Sequence, residues 1–412
     1  MRLLLISASD REGGAHVAAY RMAEAMNESG INTKLLVLSN ITSKEWVIPI
    51  RGRSKAYKLF MDPLRLRFYS RVRSWLFKPS TMVSFGQKSL ISRKQLSMID
   101  DYDAVYIHWV QNHFLRISDI AWIAERKHVF IYVNDMWYLT GGCHYSFECQ
   151  NWISGCNECP KIRRTFLKKY PHFVCRQKRD KWLNKNITIV TVSNWLADCA
   201  RKSYALRGFL IHIIPNTLNS QTFCVLEKQK ARQLLGLPQG RKLILFGAYG
   251  GSGNKTKGWL YADEAMKKMG HDADLVVFGN TQKTDDYVTY SIDKLYDESA
   301  LALLYNAVDV FISPALAEAF GQTIAEAISC GTKAVAFNVG GVPDIVNHLD
   351  NGYLAELKNV GDLVRGIKWA LNSDNSLAER ERIHKGIEEK FSYSVVSKQH
   401  NELVRQIVSS NG

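Results

Sequence analysis

The chain has 412 residues, 46% hydrophobic and 11% aromatic, without low-complexity or repetitive stretches; this excludes a disordered protein and exceeds what one ordinary core takes up. Lys and Arg outnumber Asp and Glu by 54 to 39, a formal charge of +15 that calls for a polyanionic partner. The opening MRLLLIS is too short an apolar run for a signal peptide, and no segment approaches the roughly 18 apolar residues of a spanning helix.

A cytosolic location, or one on the cytosolic face of a membrane, is therefore expected. The eight cysteines would then be thiols or metal ligands in preference to disulfides.

The chain opens with an apolar strand over 3–8. A loop carrying Gly13, Gly14 and Ala15 follows, then a helical pattern through Val17, Tyr20, Ala23 and Met26 that stops near Gly30. With a strand over 33–38 this is a βαβ opening with glycines at its first strand-to-helix turn. Residues 51–78 come next, with Arg51, Arg53, Lys55, Lys58, Arg65 and Arg67 among their cations and Asp62 as the one acid. Phe60, Phe68, Tyr69, Trp75 and Phe77 interleave with them. Such a mixture predicts a basic face with an aromatic edge, suited to an anionic bilayer; a second basic run at 161–181 extends it. A solvated charged face over ordinary core residues is the plainer alternative. Nucleic acid lacks a recognition motif here and is not expected.

The α/β rhythm resumes with strands over 104–110 and 129–133 around a helix over 117–126. Asn134-Asp135-Met136-Trp137 then leads through Thr140-Gly141-Gly142-Cys143-His144 to Cys149, Cys156 and Cys159-Pro160. Asp135 is a candidate site carboxylate, and His144 or His108 a candidate imidazole. Four thiols at 143, 149, 156 and 159 have tetrathiolate stoichiometry, but only the last pair is closely spaced; structural zinc and reduced packing cysteines both remain open. No His/Asp/Glu cluster accompanies them, so no catalytic metal is expected.

Strands over 187–192 and 211–214 flank a helix after Ser193. Beyond residue 217 the pattern starts afresh with a strand over 243–247 and a glycine-rich loop, Gly250 to Gly258, carrying Lys255 and Lys257. Glycines admit a ligand close to the backbone, and lysine supplies positive charge there. The phosphate-loop order of an ATPase is missing. A strand over 275–279 and a helix over 299–307 precede the most informative stretch. Residues 308–313 are a buried strand, Pro314 ends it, and a helix opens at Gly321-Gln322-Thr323 with Ile324, Ala327 and Ile328 on one face. Its free N–H groups make an anion site at the carboxyl ends of the strands. Glu318 and Glu326 border it, as suits a sugar nucleotide whose diphosphate meets N–H groups while carboxylates accept from hydroxyls. Helical patterns over 363–371, 383–391 and 395–407 finish the chain.

Glu318-Ala319-Phe320-Gly321 with Glu326-Ala327 and Gly331, then Gly340-Gly341-Val342-Pro343-Asp344 and Asn351-Gly352-Tyr353, closely resembles the donor-binding half of family 4 retaining glycosyltransferases. The 134–160 stretch resembles a cysteine-rich subgroup that includes enzymes of bacterial surface-polysaccharide (capsule, colanic acid or O-antigen type) assembly. The resemblance implies an α/β GT-B fold of two Rossmann-like, doubly wound domains facing a cleft. It divides the chain into an acceptor-side domain over 1–217, a donor-binding domain over 218–390, and a helix over 391–412 returning to the first domain.

It further implies sugar transfer with retained configuration from a nucleoside diphosphate sugar to a glycan or lipid-linked acceptor, with no cofactor required for catalysis. Glu318 and Asp135, with His144, would serve catalysis. Gly13, Gly14, Lys255, Lys257, Phe320, Gly321, Gln322, Thr323 and Glu326 would bind the donor, Lys257 at its diphosphate and Glu326 at its ribose. The family's histidine is replaced by Asn134, which is why another imidazole is sought, and its usual arginine by Thr256. An inverting transferase, a sugar-nucleotide epimerase and a basic nucleic-acid-binding protein are the competing classes.

Overall fold

Short apolar runs buried on both faces build two all-parallel sheets. The computed structural model describes residues 1–50, 71, 75–78, 83–111, 113–247, 255–278, 286–292 and 297–409. Most of the basic-aromatic segment 51–78 and of the glycine-rich loop, residues 248–254, therefore lies outside the described residues. The chain divides into one unit of Met1–Ile214 with Ser397–Gly412 and a second of Pro215–Val396.

In the first unit the strands are β1 (Arg2–Ser9), β2 (Asn32–Ser39), β3 (Val47–Pro49), β4 (Ala104–Ile107), β5 (His128–Val133), β6 (Ile187–Thr191) and β7 (Leu210–Ile213), in the order β3-β2-β1-β4-β5-β6-β7. The helices α1 (Gly14–Glu28), α2 (Ile117–Ala124), α3 (Tyr170–Trp182) and α4 (Asn194–Lys202) accompany them. Chain order runs outward from β1 in one direction and from β4 in the other, so the point between them is a topological switch point.

The second unit repeats the plan with β8 (Leu243–Gly247), β9 (Asp274–Phe278), β10 (Thr289–Ile292), β11 (Val310–Ser313), β12 (Lys333–Phe337) and β13 (Gly352–Ala355), ordered β10-β9-β8-β11-β12-β13. Its switch point lies between β8 and β11. The helices α5 (Lys228–Leu234), α6 (Trp259–Met269), α7 (Glu298–Ala307), α8 (Gln322–Ser329), α9 (Val360–Asn372) and α10 (Leu377–Phe391) belong here. Ile244, Phe246, Val277, Ile312, Val335 and Phe337 from the sheet pack with Trp259 and Met266 of α6 into one core.

The last helix, α11 (Tyr393–Ser409), carries His400 into the core of the first unit. Its Nδ1 meets the Tyr106 hydroxyl at 3.1 Å, and its ring packs on Tyr132 with centroids 5.5 Å apart. His108 is buried in the same cluster, 4.9 Å from the Tyr132 ring, with neither ring nitrogen bonded. That imidazole is a packing group, which removes His108 as a candidate for the site.

Burial holds both imidazoles neutral, with pKa values lowered from 6.5 to about 3. The unfolded chain takes up protons near 6.5 that the folded one refuses, so stability is full above that pH and falls as acidification proceeds toward the folded values. Each histidine contributes a slope of about 1.4 kcal/mol per pH unit. Denaturant midpoints at pH 7.5 and 5.5 should therefore differ clearly, and His108→Phe should shrink the difference. Equal midpoints would show that these rings are not neutral in the fold.

Candidate functional site

Three loops meet at the carboxyl ends of β8, β11 and β12, and glycines permit their approach. Gly258 closes the loop after β8 with φ 79°; a Cβ there would lie 1.7 Å from the Pro314 carbonyl oxygen, on the loop after β11. The Leu316 N–H donates to the Thr256 oxygen at 2.9 Å, tying these two loops together. Gly340, after β12, has φ 55°, and a Cβ on it would lie 1.8 Å from the Glu318 carbonyl oxygen. The Gly341 N–H donates to that same oxygen at 3.0 Å. The backbone of Glu318 is thus fixed from two neighbouring loops.

Its side chain is fixed as well. Lys257 Nζ donates to Glu318 Oε2 at 2.7 Å, in a pair whose side chains are 31% and 15% exposed. The expected diphosphate cation and the expected sugar-facing carboxylate therefore neutralise each other across the switch point. Gly321, with φ 113°, is the N-cap of α8 and brings no capping side chain, so the amides of Gln322 and Thr323 head a helix its cap residue leaves open. Gln322 Nε2 is buried there without a hydrogen-bond partner.

Glu326 lies one turn further along α8, buried, and its Oε2 accepts from the Tyr305 hydroxyl of α7 at 3.0 Å. The Phe320 ring is turned inward, edge-on to Phe391 with centroids 5.4 Å apart, so it serves packing. Lys255 begins a short 3₁₀ turn that ends at Lys257. The second unit thus brings Lys257, Glu318, Gly321, Gln322 and Thr323 to one place, with Glu326 beneath them.

In the first unit the loops after β1, β4 and β5 converge at the other switch point. Gly13, with φ 104°, is the N-cap of α1, and Gly14 is its first residue. His16 follows in the first turn, with Nδ1 2.8 Å from the Ser7 hydroxyl and its ring edge-on to Trp109 at 5.1 Å. Burial lowers the His16 pKa from 6.5 to about 4 against the pull of Asp10 and Asp135, so this imidazole is neutral near pH 7.

Trp109 Nε1 donates to Asp135 Oδ2 at 3.0 Å, and the Trp137 N–H donates to Oδ1 at 2.8 Å. His144 Nδ1 sits 2.6 Å from the same Oδ2, while its Nε2 meets the Ser84 hydroxyl at 3.0 Å. With both nitrogens engaged and the residue 2% exposed, His144 holds Asp135 in place; its imidazole is not free to meet a ligand. His16 and Trp109 escaped sequence reading. Their signal was position alone: each closely follows a strand at the switch point.

Cys143, Cys149, Cys156 and Cys159 line one apolar cavity of about 20 Å³. Burial pushes the Cys143 thiol up to about 12, and the Gly141 N–H donates to Cys156 Sγ at 3.1 Å. Among the described residues no group of three or more His, Cys, Asp or Glu side chains stands where it could hold a metal ion. The four thiols thus share one small cavity.

Residues 227–390, within the second unit, match the family model for glycosyl transferases group 1. An uncharacterised glycosyltransferase of Methanocaldococcus jannaschii is 28% identical over 51% of this chain and 58% of its own length. The 2-deoxystreptamine glucosyltransferase of Streptomyces kanamyceticus is 23% identical over 47% of this chain and 54% of its own. The chain thus spans little more than half the length of these two curated relatives. Among solved structures, sucrose-phosphate synthase from Thermosynechococcus elongatus aligns with a TM-score of 0.64 at 14% identity over 99% of both chains. Anabaena Alr3699/HepE in complex with UDP aligns with a TM-score of 0.65 at 15% identity, over 98% of this chain and 100% of its own. The fold is GT-B, with two parallel α/β sheets of seven and six strands among the described residues.

Proposed function

We propose that this chain is a retaining glycosyltransferase that moves a hexose from a nucleoside diphosphate sugar to a glycan, carried on a lipid, during assembly of a bacterial surface polysaccharide. The observation that carries this reading is the Lys257–Glu318 pair beside the open N-terminus of α8. A departing diphosphate needs positive charge and amide donors where its own charge develops; Lys257 and the amides of Gln322 and Thr323 supply both. Glu326 would take the ribose hydroxyls and Glu318 would orient the sugar and steady its cationic carbon. Asp135, held by Trp109 and His144, would accept from a sugar hydroxyl. The group 1 match and the UDP complex of Alr3699/HepE support a nucleotide-sugar donor.

The setting we propose is the cytosolic face of a membrane; among the described residues no helix is long and apolar enough to cross one. Binding of a panel of nucleotide sugars, followed by anomeric analysis of the product, tests the reading. Saturable binding of one sugar nucleotide with same-configuration transfer is expected. An inverted product, or isomerisation of the donor without transfer, would assign the site to one of the other classes.

We further propose that the four clustered cysteines are packing thiols and that transfer needs no metal. Purified protein should carry less than one zinc per chain, and chelators should leave turnover unchanged. Stoichiometric zinc whose removal lowers the unfolding midpoint would instead make the cluster a structural metal site.

A further inference from the structure

The two basic runs of the sequence meet in the first unit. The described end of the earlier one pairs with the start of the later one: Phe77 and Ile162 form an antiparallel bridge, the Arg163 N–H donates to the Leu76 oxygen at 2.8 Å, and the Lys78 N–H to the Lys161 oxygen at 3.0 Å. The Arg164 guanidinium lies over the Trp75 ring, 4.1 Å from its centroid, and the Lys161 ammonium over Phe147 at 5.3 Å.

Around this junction apolar rings face solvent, with Phe166 74% exposed, Trp75 49%, Phe173 47% and Phe147 45%. The 161–181 run holds nine Lys and Arg against Asp180 as its one acid, and only Lys178 among them is fully buried. Helix α3 shows how this arises. Val174, Cys175, Lys178 and Trp182 face inward, which leaves Phe173 and Arg176 on the outward side. Exposed Phe is the costly choice for a surface that meets only water.

We infer that this face docks on an anionic lipid bilayer, with Phe166, Phe173 and Trp75 entering the headgroup boundary while Arg163, Lys168 and Lys169 meet lipid phosphates. Phe rings set among cations, with few acids to repel the surface, match the chemistry of an interface-seating patch. A single-stranded nucleic acid would also accept charge and stacking, but the exposed rings are mostly Phe, and the sequence carries no nucleic-acid recognition motif. The inference deepens the membrane-face setting proposed above, and it is read without donor or acceptor, so it can fail while the transfer reading stands.

The test is flotation of the full chain with vesicles of phosphatidylcholine alone and of phosphatidylcholine mixed with phosphatidylglycerol, at low and high salt. Association with the mixed vesicles, weakened by salt, is expected. Each cation near such a surface is worth roughly fivefold in partitioning, so combined Arg163→Ala, Lys168→Ala and Lys169→Ala should cost about a hundredfold. Phe166→Ser with Phe173→Ser should cost about tenfold or more. The changed positions are exposed apart from the half-buried Lys168, and both variants should keep the native unfolding midpoint and donor affinity. The inference is overturned by equal binding to neutral vesicles, by no vesicle binding, by variants that bind as well as the native chain, or by salt-sensitive binding of an oligonucleotide in place of vesicles.

Discussion

Glu318→Gln protein should turn over on the order of a hundredfold to a thousandfold more slowly, with donor affinity changed by less than about threefold. The amide keeps the shape of the carboxylate and loses its charge, so only interactions that grow as the sugar becomes cationic are removed. The structure sharpens this expectation. Glu318 neutralises Lys257 at 2.7 Å, and an amide would release that ammonium for the diphosphate. Donor binding should therefore hold or tighten while chemistry collapses. Steady-state turnover and donor titration on the same preparation separate the two quantities. Undiminished turnover would remove Glu318 from the reaction, and a fall in affinity matching the fall in turnover would make it a ground-state contact.

Gly340→Ala should be strongly damaging, although it adds only one methyl near the site. Its backbone has φ 55°, where an L side chain costs about 1 kcal/mol. The larger cost is steric, because the added Cβ would lie 1.8 Å from the Glu318 carbonyl oxygen and one of the two loops must move. Moving either displaces Glu318 from Lys257, so donor affinity should fall at least about tenfold and turnover further. Gly386→Ala is the matched control. That glycine sits within α10 with open space for 4 Å around the place a methyl would take, and alanine there should raise stability by about 0.5–1 kcal/mol. Unimpaired donor binding by Gly340→Ala would mean that the loop after β12 does not support the site.

The buried strands were legible because β1, β4, β5, β8 and β11 are mostly continuous apolar runs with no polar face to hide. The edge strands β3 and β10 were not. Half-exposed and only three and four residues long, they alternate too little to stand out from loop. Helix α3 was read as charge alone, because its cations outnumber the few residues, Val174, Cys175 and Trp182, that bury it. At the site, Glu318 and Gly321 were singled out by their place between a strand and a helix, and Lys257 by the glycine-rich loop together with the family resemblance; the fold brings Lys257 and Glu318 into contact. The packing role of Phe320 and the occupied nitrogens of His144 depend on partners 71 and 60 positions away in sequence, Phe391 and Ser84, which no local pattern reveals.

The carboxylate–ammonium contact in the second unit also bears on what leaves the enzyme after each cycle. A complete donor, bound as proposed, would separate the two charges and satisfy both, phosphate on one side and sugar on the other. On the proposed function the spent nucleotide would satisfy only the lysine and strand the acid, so it would compete with an internal rival for its own anchor. Product inhibition should be mild for that reason, and turnover should not wait on release of the nucleotide.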